Sequence, residues 1–318
     1  MKRVLTAVIL IPIVVVVLFR APLWLFAPLV LGVAVLAARE YFDVAAATGF
    51  RPMRGWGYVF LASIFVVSFA GAGLLEAMQS VQPHVALNAA FGVALVLTVV
   101  SPFVLLIAGL SRDPLSQAMP DSAVSFLLLP YVGISLASTI LVRASMNGAL
   151  FLLFLMLLVW SGDIAAYYVG RAIGTHKMAP RISPGKSWEG ALASVVGAMV
   201  IAVLLFRYIQ PIYAFLRTLR LEPQAGQSLS VMMQRADFSR APLALVIAFA
   251  VCVNVAAQVG DLVESMLKRG AGVKDSGSLL PGHGGVLDRI DALLFAAIVG
   301  WLFYFGLLSR YFQPGTTG

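Results

Sequence analysis

LPGHGGVLDRIDALLFAAIVGWLFYFGLL, residues 280–308, joins a polar, glycine-rich stretch directly to an apolar one. From Leu293 to Leu308 there is no charged residue, and with its flanks the run is long enough for a helix rising about 1.5 Å per residue to cross about 30 Å of hydrocarbon. Just before it, three glycines, a histidine, two aspartates and an arginine crowd the mouth of the span. The rest of the chain repeats the apolar half. Of 318 residues, 61% are hydrophobic and only 11% charged, where soluble domains carry about a quarter. The apolar runs fall at roughly 4–19, 22–38, 57–75, 85–110, 122–142, 149–170, 191–209, 242–262 and 292–310. They predict an all-α, polytopic membrane helix bundle of about nine spans; the short alternating segments of a β-barrel are missing.

Residues 1–150 read as N-terminal transmembrane helices and 151–318 as a C-terminal transmembrane catalytic region. The first span follows Lys2 and Arg3 without a small-residue cleavage site after it, so it reads as a retained helix. Pro12, Pro22, Pro28 and Pro102 are expected at bends or helix starts. With the N-terminus in the cytoplasm, loops 39–56, 111–121, 171–190 and 263–291 share the cytoplasmic side and hold most of the Lys and Arg. Residues 207–241 run against that bias with five arginines, and IYAFLRTLR and VMMQR within them suit interfacial helices. The net charge of +8 is thereby explained by loop placement, so no nucleic-acid partner is expected. Cys252, alone in an apolar run, reads as a buried thiol, and three scattered histidines make no zinc site.

Two polar loops on that side concentrate the chemistry. Asn254, Gln258, Asp261, Ser265 and Lys268 step by four, three, four and three, which puts all five on one helix face. A polar stripe on a span faces protein or water, and an aspartate there marks a functional site by default. Asp288 and Asp291 lie three apart at the start of the last span, facing that stripe. Asp261 and Asp288 are therefore candidate ligands for a hard cation, Mg²⁺, which takes one or two carboxylates together with water and substrate phosphate; a second cation is admitted. Ser265 supplies a hydroxyl. Gly284 and Gly285 are expected to let backbone N–H groups reach phosphate oxygens, and His283 to contact phosphate, act as acid or base, or bond within the turn.

In the other loop GKS, residues 185–187, ends like a P-loop, but Pro180 stands where that pattern needs glycine and no strand is expected before it. Ser183, Lys186 and Ser187 remain phosphate donors ahead of a helix starting near Trp188, and Ser187 also suits the helix cap.

These residues resemble the phosphatidate cytidylyltransferases, the CDP-diacylglycerol synthase family. The resemblance runs through Ser265, Leu267, Lys268, Arg269, Lys274, Asp275, Gly277, Leu280, Pro281, His283, Gly284, Gly285, Val286, Asp288, Arg289, Ile290 and Asp291. It continues in Asp163, Tyr167, Gly170, Arg171, Gly174, His176, Lys177, Ser183, Pro184, Lys186, Ser187, Trp188 and Glu189, departing only at Ile164-Ala165, where a hydroxyl and a glycine are usual. It covers about residues 160–295. It implies Mg²⁺-dependent conversion of CTP and phosphatidate to CDP-diacylglycerol and pyrophosphate at the cytoplasmic face of a bacterial inner membrane, among membrane lipids, with a homodimer admitted. It further implies that Asp261 and Asp288 hold the metal, that Lys268, Arg269, Lys274 and Arg289 offset the charge of two anionic substrates, and that Asp163 belongs to the substrate site. A transporter is the rival class, but it calls for acidic residues near mid-bilayer, whereas here the polar density lies at one interface. The D-G-x2-A-R pattern of CDP-alcohol phosphotransferases does not occur.

Overall fold

The computed structural model describes residues 2–78, 83–145, 147–219, 242–279 and 284–308. Helices α1 (Lys2–Arg20), α2 (Leu23–Ala47), α3 (Arg54–Met78) and α4 (Pro83–Gly109) come first. α5 (Ala118–Leu128) and α6 (Ser135–Ala144) follow, then α7 (Gly148–Ile173). A hairpin of β1 (Lys177–Ala179) and β2 (Ser183–Ser187) leads into α8 (Trp188–Arg207) and the short α9 (Ile209–Thr218). The long α10 (Leu243–Gly270) and α11 (Leu287–Phe303) complete the bundle.

Eight segments among the described residues are long and apolar enough to cross a membrane. α1 stands as the ninth expected helix, with its side chains described from Ile11 onward. The expected span 122–142 is one path in two pieces, because a π-helical turn over Leu129–Ile134 joins α5 to α6. Pro130 within it has no N–H to donate, and Ser135 Oγ bonds the Pro130 carbonyl at 3.2 Å. Pro22 precedes α2, while Pro12, Pro28 and Pro102 lie inside helices. α9 occupies IYAFLRT of the region expected to be interfacial; VMMQR lies outside the described residues.

Packing follows from where small and large side chains fall. Ala34, Ala37 and Ala38 are fully buried, which lets α2 approach its neighbours closely. Phe42, Leu61, Ile64, Leu128, Ile140, Leu158 and Phe249 fill the interior. Val59, Val66, Val93 and Leu95 point outward, as suits helices whose solvent is hydrocarbon. Cys252 is also exposed, against expectation, for the same reason: an apolar side chain on a span need not point inward.

The four loops expected on one side do meet. Arg51 N–H donates to Asp121 Oδ1 at 2.7 Å and Arg112 Nη2 to the Arg51 carbonyl at 2.9 Å, joining 39–56 to 111–121. Lys186 and Asp261 form a 2.7 Å ion pair, and Arg269 Nε donates to the Ile182 carbonyl at 3.3 Å, joining 171–190 to the last turns of α10, while Ser276 Oγ in the loop after α10 donates to Glu40 at 2.9 Å.

The upper part of the polar stripe turns out to be packing. Asn254 Nδ2 donates to Ser194 Oγ at 3.0 Å, and Gln258 Nε2 to Asn254 Oδ1 at 2.7 Å and to the Ala191 carbonyl at 3.2 Å. Gly162, one residue before Asp163, makes this three-helix contact possible, because a Cβ there would overlap Asn254 Nδ2 and Ser194 Oγ. Gly162→Ala should therefore cost about 1–3 kcal/mol of stability by overpacking. Thermal unfolding in detergent reads this directly; an unchanged midpoint would show that α7, α8 and α10 do not meet at that residue.

Candidate active site

α8 begins where Ser187, in extended conformation, accepts the Gly190 N–H at 3.2 Å. Ser187 is buried and serves as a cap, so its hydroxyl is not presented to a ligand. GKS itself lies on β2, a strand not expected from the sequence; its antiparallel pairing with β1 turns Lys186 toward α10. Ser183, half-buried, opens that strand opposite Ala179. His176 is a loop contact, with Nδ1 2.6 Å from Glu189 Oε1.

Lys186 and Asp261 stand at the centre. Asp163 on α7 and Asp291 on α11 are both within electrostatic range of Asp261 and Lys186, and α11 packs on α10 beside Asp261, where a Cβ at Gly260 would come 2.6 Å from the Asp291 carbonyl oxygen. The Asp261 side chain is 39% exposed, which leaves its carboxylate open to a ligand, while the Lys186 ammonium beside it is itself covered. Ser265, one turn further along α10, donates to Asp261 Oδ1 at 3.4 Å.

Asp261, half-exposed, is a carboxylate that a divalent cation could take. Among the described residues no set of three or more His, Cys, Asp or Glu side chains is arranged to hold a metal ion by itself. Magnesium does not need one, since it takes one or two carboxylates and fills its octahedron with water and phosphate. The donor chemistry around Asp261 therefore fits the ion.

Asp288, expected as the second metal carboxylate, has internal partners instead. Its Oδ1 accepts from Lys268 Nζ at 2.6 Å; its Oδ2 accepts from Gly285 N–H at 2.7 Å, Ser276 N–H at 2.9 Å and Ser276 Oγ at 3.1 Å. Lys268 also pairs with Glu264 Oε2 at 2.6 Å, and Glu264 is only 1% exposed. Lys268, expected to offset substrate charge, is thus held between two buried carboxylates. Arg269 likewise acts as a staple, with Nε on Ile182 and Nη1 on the Val273 carbonyl at 3.1 Å. Lys274, on the loop after α10, and Arg289, in the first turn of α11, are exposed, and His283 lies outside the described residues.

The glycines also read differently. Gly284 has φ +78°, in the left-handed region, and a Cβ there would come 2.5 Å from Asp288 Oδ2. At Gly285 a Cβ would overlap a carboxylate oxygen of Glu40, a residue on α2 that the sequence did not single out. Glu40 is buried; its Oε1 accepts the Val286 N–H at 2.9 Å, and its Oε2 accepts the Leu287 N–H at 2.8 Å and Ser276 Oγ at 2.9 Å. The Gly285 N–H, expected to reach phosphate, is therefore taken by Asp288, and the N–H groups of Val286 and Leu287 that follow it are taken by Glu40.

A model of the cytidylyltransferase family matches residues 1–307. The chain belongs to this family. It is 32% identical over 314 residues to the phosphatidate cytidylyltransferase of Haemophilus influenzae, a match spanning 96% of this chain and 99% of that protein. It is 39% identical over 178 residues to the phosphatidate cytidylyltransferase of Brucella suis, covering 54% of each. That of Mycobacterium leprae is 32% identical over 192 residues, covering 60% of this chain and 52% of that protein. The cytidylyltransferase match includes the N-terminal helices, in keeping with a glutamate of α2 reaching the site.

Lys268→Met removes the cation shared by Glu264 and Asp288, and breaking such a buried pair costs about 3–5 kcal/mol. The variant should unfold far more readily than wild type, whereas Lys186→Ala, beside the more exposed Asp261, should not. Equal unfolding midpoints for the two variants would contradict this division of roles.

Proposed function

We propose that the chain is a phosphatidate cytidylyltransferase, transferring CMP from CTP to phosphatidate with release of pyrophosphate. The observation that carries the reading is the Lys186–Asp261 pair, flanked by Asp163 and Asp291 at the loop-bearing end of an apolar bundle. A phosphate of CTP needs a cation and polar neighbours; phosphatidate needs a site level with the membrane surface, where its acyl chains stay in hydrocarbon. The family match and the relatives' names support the same chemistry.

A phosphate oxygen of phosphatidate attacks the α-phosphorus of CTP; that P–O bond forms as the bond to the bridging oxygen breaks, and pyrophosphate leaves. The nucleophile is already anionic, so the residues have charge to position rather than a proton to remove. Lys186, with Ser183 near it, orients the triphosphate. Lys274 on the loop after α10 and Arg289 in the first turn of α11, both exposed, reduce the repulsion between two anionic substrates. Asp261, with Asp163 and Asp291 beside it, is the carboxylate available to Mg²⁺, whose contribution when bound is to neutralise charge on the attacked phosphoryl group and the leaving oxygen. The Lys and Arg content of the four meeting loops supports a cytoplasmic face of the inner membrane.

Labelled CTP and phosphatidate, with purified protein in detergent and magnesium, should yield labelled CDP-lipid. No CDP-lipid, with ion flux across liposomes instead, would overturn the reading in favour of transport. Within the same assay Asp261→Asn should lower turnover by about 10²-fold or more. Lys186→Ala should raise the CTP requirement more than the lipid requirement, and equal effects on both would argue against its assignment to nucleotide.

A further inference from the structure

Glu40 is a charged side chain taken out of water in the N-terminal half of the chain, and among the described ion pairs none includes it. A carboxylate in that position is costly unless donors surround it. Its three donors come from both sides of the loop between α10 and α11: Ser276 before the turn, Val286 and Leu287 after it. Glu40 therefore closes that loop from a separate helix and covers the free N–H groups at the start of α11, where a negative charge is favoured.

The room for this contact is built into the loop. A Cβ at Gly277 would come 2.6 Å from Glu40 Oε1, and one at Gly285 would overlap Oε2 and Ser276 Oγ. Ser276 then carries the constraint onward. Its single hydroxyl proton lies between Glu40 Oε2 at 2.9 Å and Asp288 Oδ2 at 3.1 Å, while its N–H holds Asp288 Oδ2 at 2.9 Å. Asp288 in turn holds Lys268. One turn beyond Asp288 on the same helix is Asp291, whose backbone packs beside Asp261: a Cβ at Gly260 would come 2.6 Å from the Asp291 carbonyl oxygen.

We propose that Glu40 is a positioning residue for cytidylyl transfer: by clamping Ser276 and the Gly285–Leu287 turn it sets the first turn of α11, and with it Asp291, against Asp261 and Lys186. The role rests on the functional reading given above. Glu40 itself touches no substrate, so its loss should misplace the reacting groups more than it weakens substrate binding.

The test uses the full chain in detergent micelles containing phosphatidate, with rates normalised to folded protein. Glu40→Gln keeps the shape, but its amide nitrogen cannot accept an N–H. A displacement of this kind should lower kcat by about 10- to 100-fold. KM for CTP and for phosphatidate should stay within about threefold, since uniform binding is untouched. Glu40→Asp, which keeps the charge, should recover part of the rate. Gly285→Ala, which fills the space from the other side, should reproduce the loss, and the double variant should be no slower than the slower single, as expected of one shared contact. Amide hydrogen exchange over residues 284–290 should quicken in Glu40→Gln while that of α3 does not. Wild-type CDP-lipid formation in parallel reports on the functional reading, and the exchange needs no turnover. The proposal is overturned by folded Glu40→Gln with wild-type kcat, by unchanged exchange over 284–290, or by additive losses in the double variant. If Glu40→Gln fails to fold, Gly285→Ala with wild-type kcat overturns it equally.

Discussion

A carboxylate at the edge of a hydrocarbon layer keeps its charge only beside a cation or a full set of donors, and this constraint organises the loop-bearing end of the bundle. The chain meets it in three ways. Glu40 is held by two backbone N–H groups and a hydroxyl. Glu264 and Asp288 share Lys268. Asp261 has Lys186 and a long bond from the Ser265 hydroxyl, with two further carboxylates within electrostatic range. The first two arrangements are buried: Glu40 and Asp288 have their oxygens matched within the protein, and Glu264, 1% exposed, has the Lys268 ammonium at 2.6 Å from Oε2. Only the third is open, with a carboxylate that a substrate cation complex could take.

That difference separates support from chemistry among residues that look alike in sequence. Lys268, Arg269 and Lys186 all read as cations for phosphate, yet Lys268 lies between buried carboxylates and Arg269 bonds two carbonyls. Lys186 keeps a quarter of its side chain exposed beside a half-open partner. The stripe on α10 divides in the same manner: Asn254 and Gln258 bind α8, Asp261 and Ser265 belong to the site, and Lys268 is held by Glu264 and Asp288.

The spans were legible because hydrocarbon demands long apolar helices, and the sharing of one side by four loops followed from the placement of Lys and Arg. The stripe, the cap at Ser187 and the convergence of the two polar loops could also be read from spacing. Glu40 could not, because the apolar run ends near residue 38 while α2 continues to Ala47, so the glutamate read as part of a loop beside Arg39. Its partners lie some 240 residues away, and no local pattern announces them. Gly284 and Gly285 of PGHGG were read as places where phosphate comes close, whereas within the protein it is the carboxylates of Asp288 and Glu40 that approach them. The β1–β2 hairpin was missed because SPGKS contains proline and glycine, which speak against a strand until an antiparallel partner is present.

The division between buried and open carboxylates is tested most directly by an experimental structure of the chain with CTP and magnesium bound. The expected result is the triphosphate beside Lys186 and Asp261, with Glu40 still on the N–H groups of Val286 and Leu287. A triphosphate seated on those N–H groups, with Glu40 displaced, would contradict it.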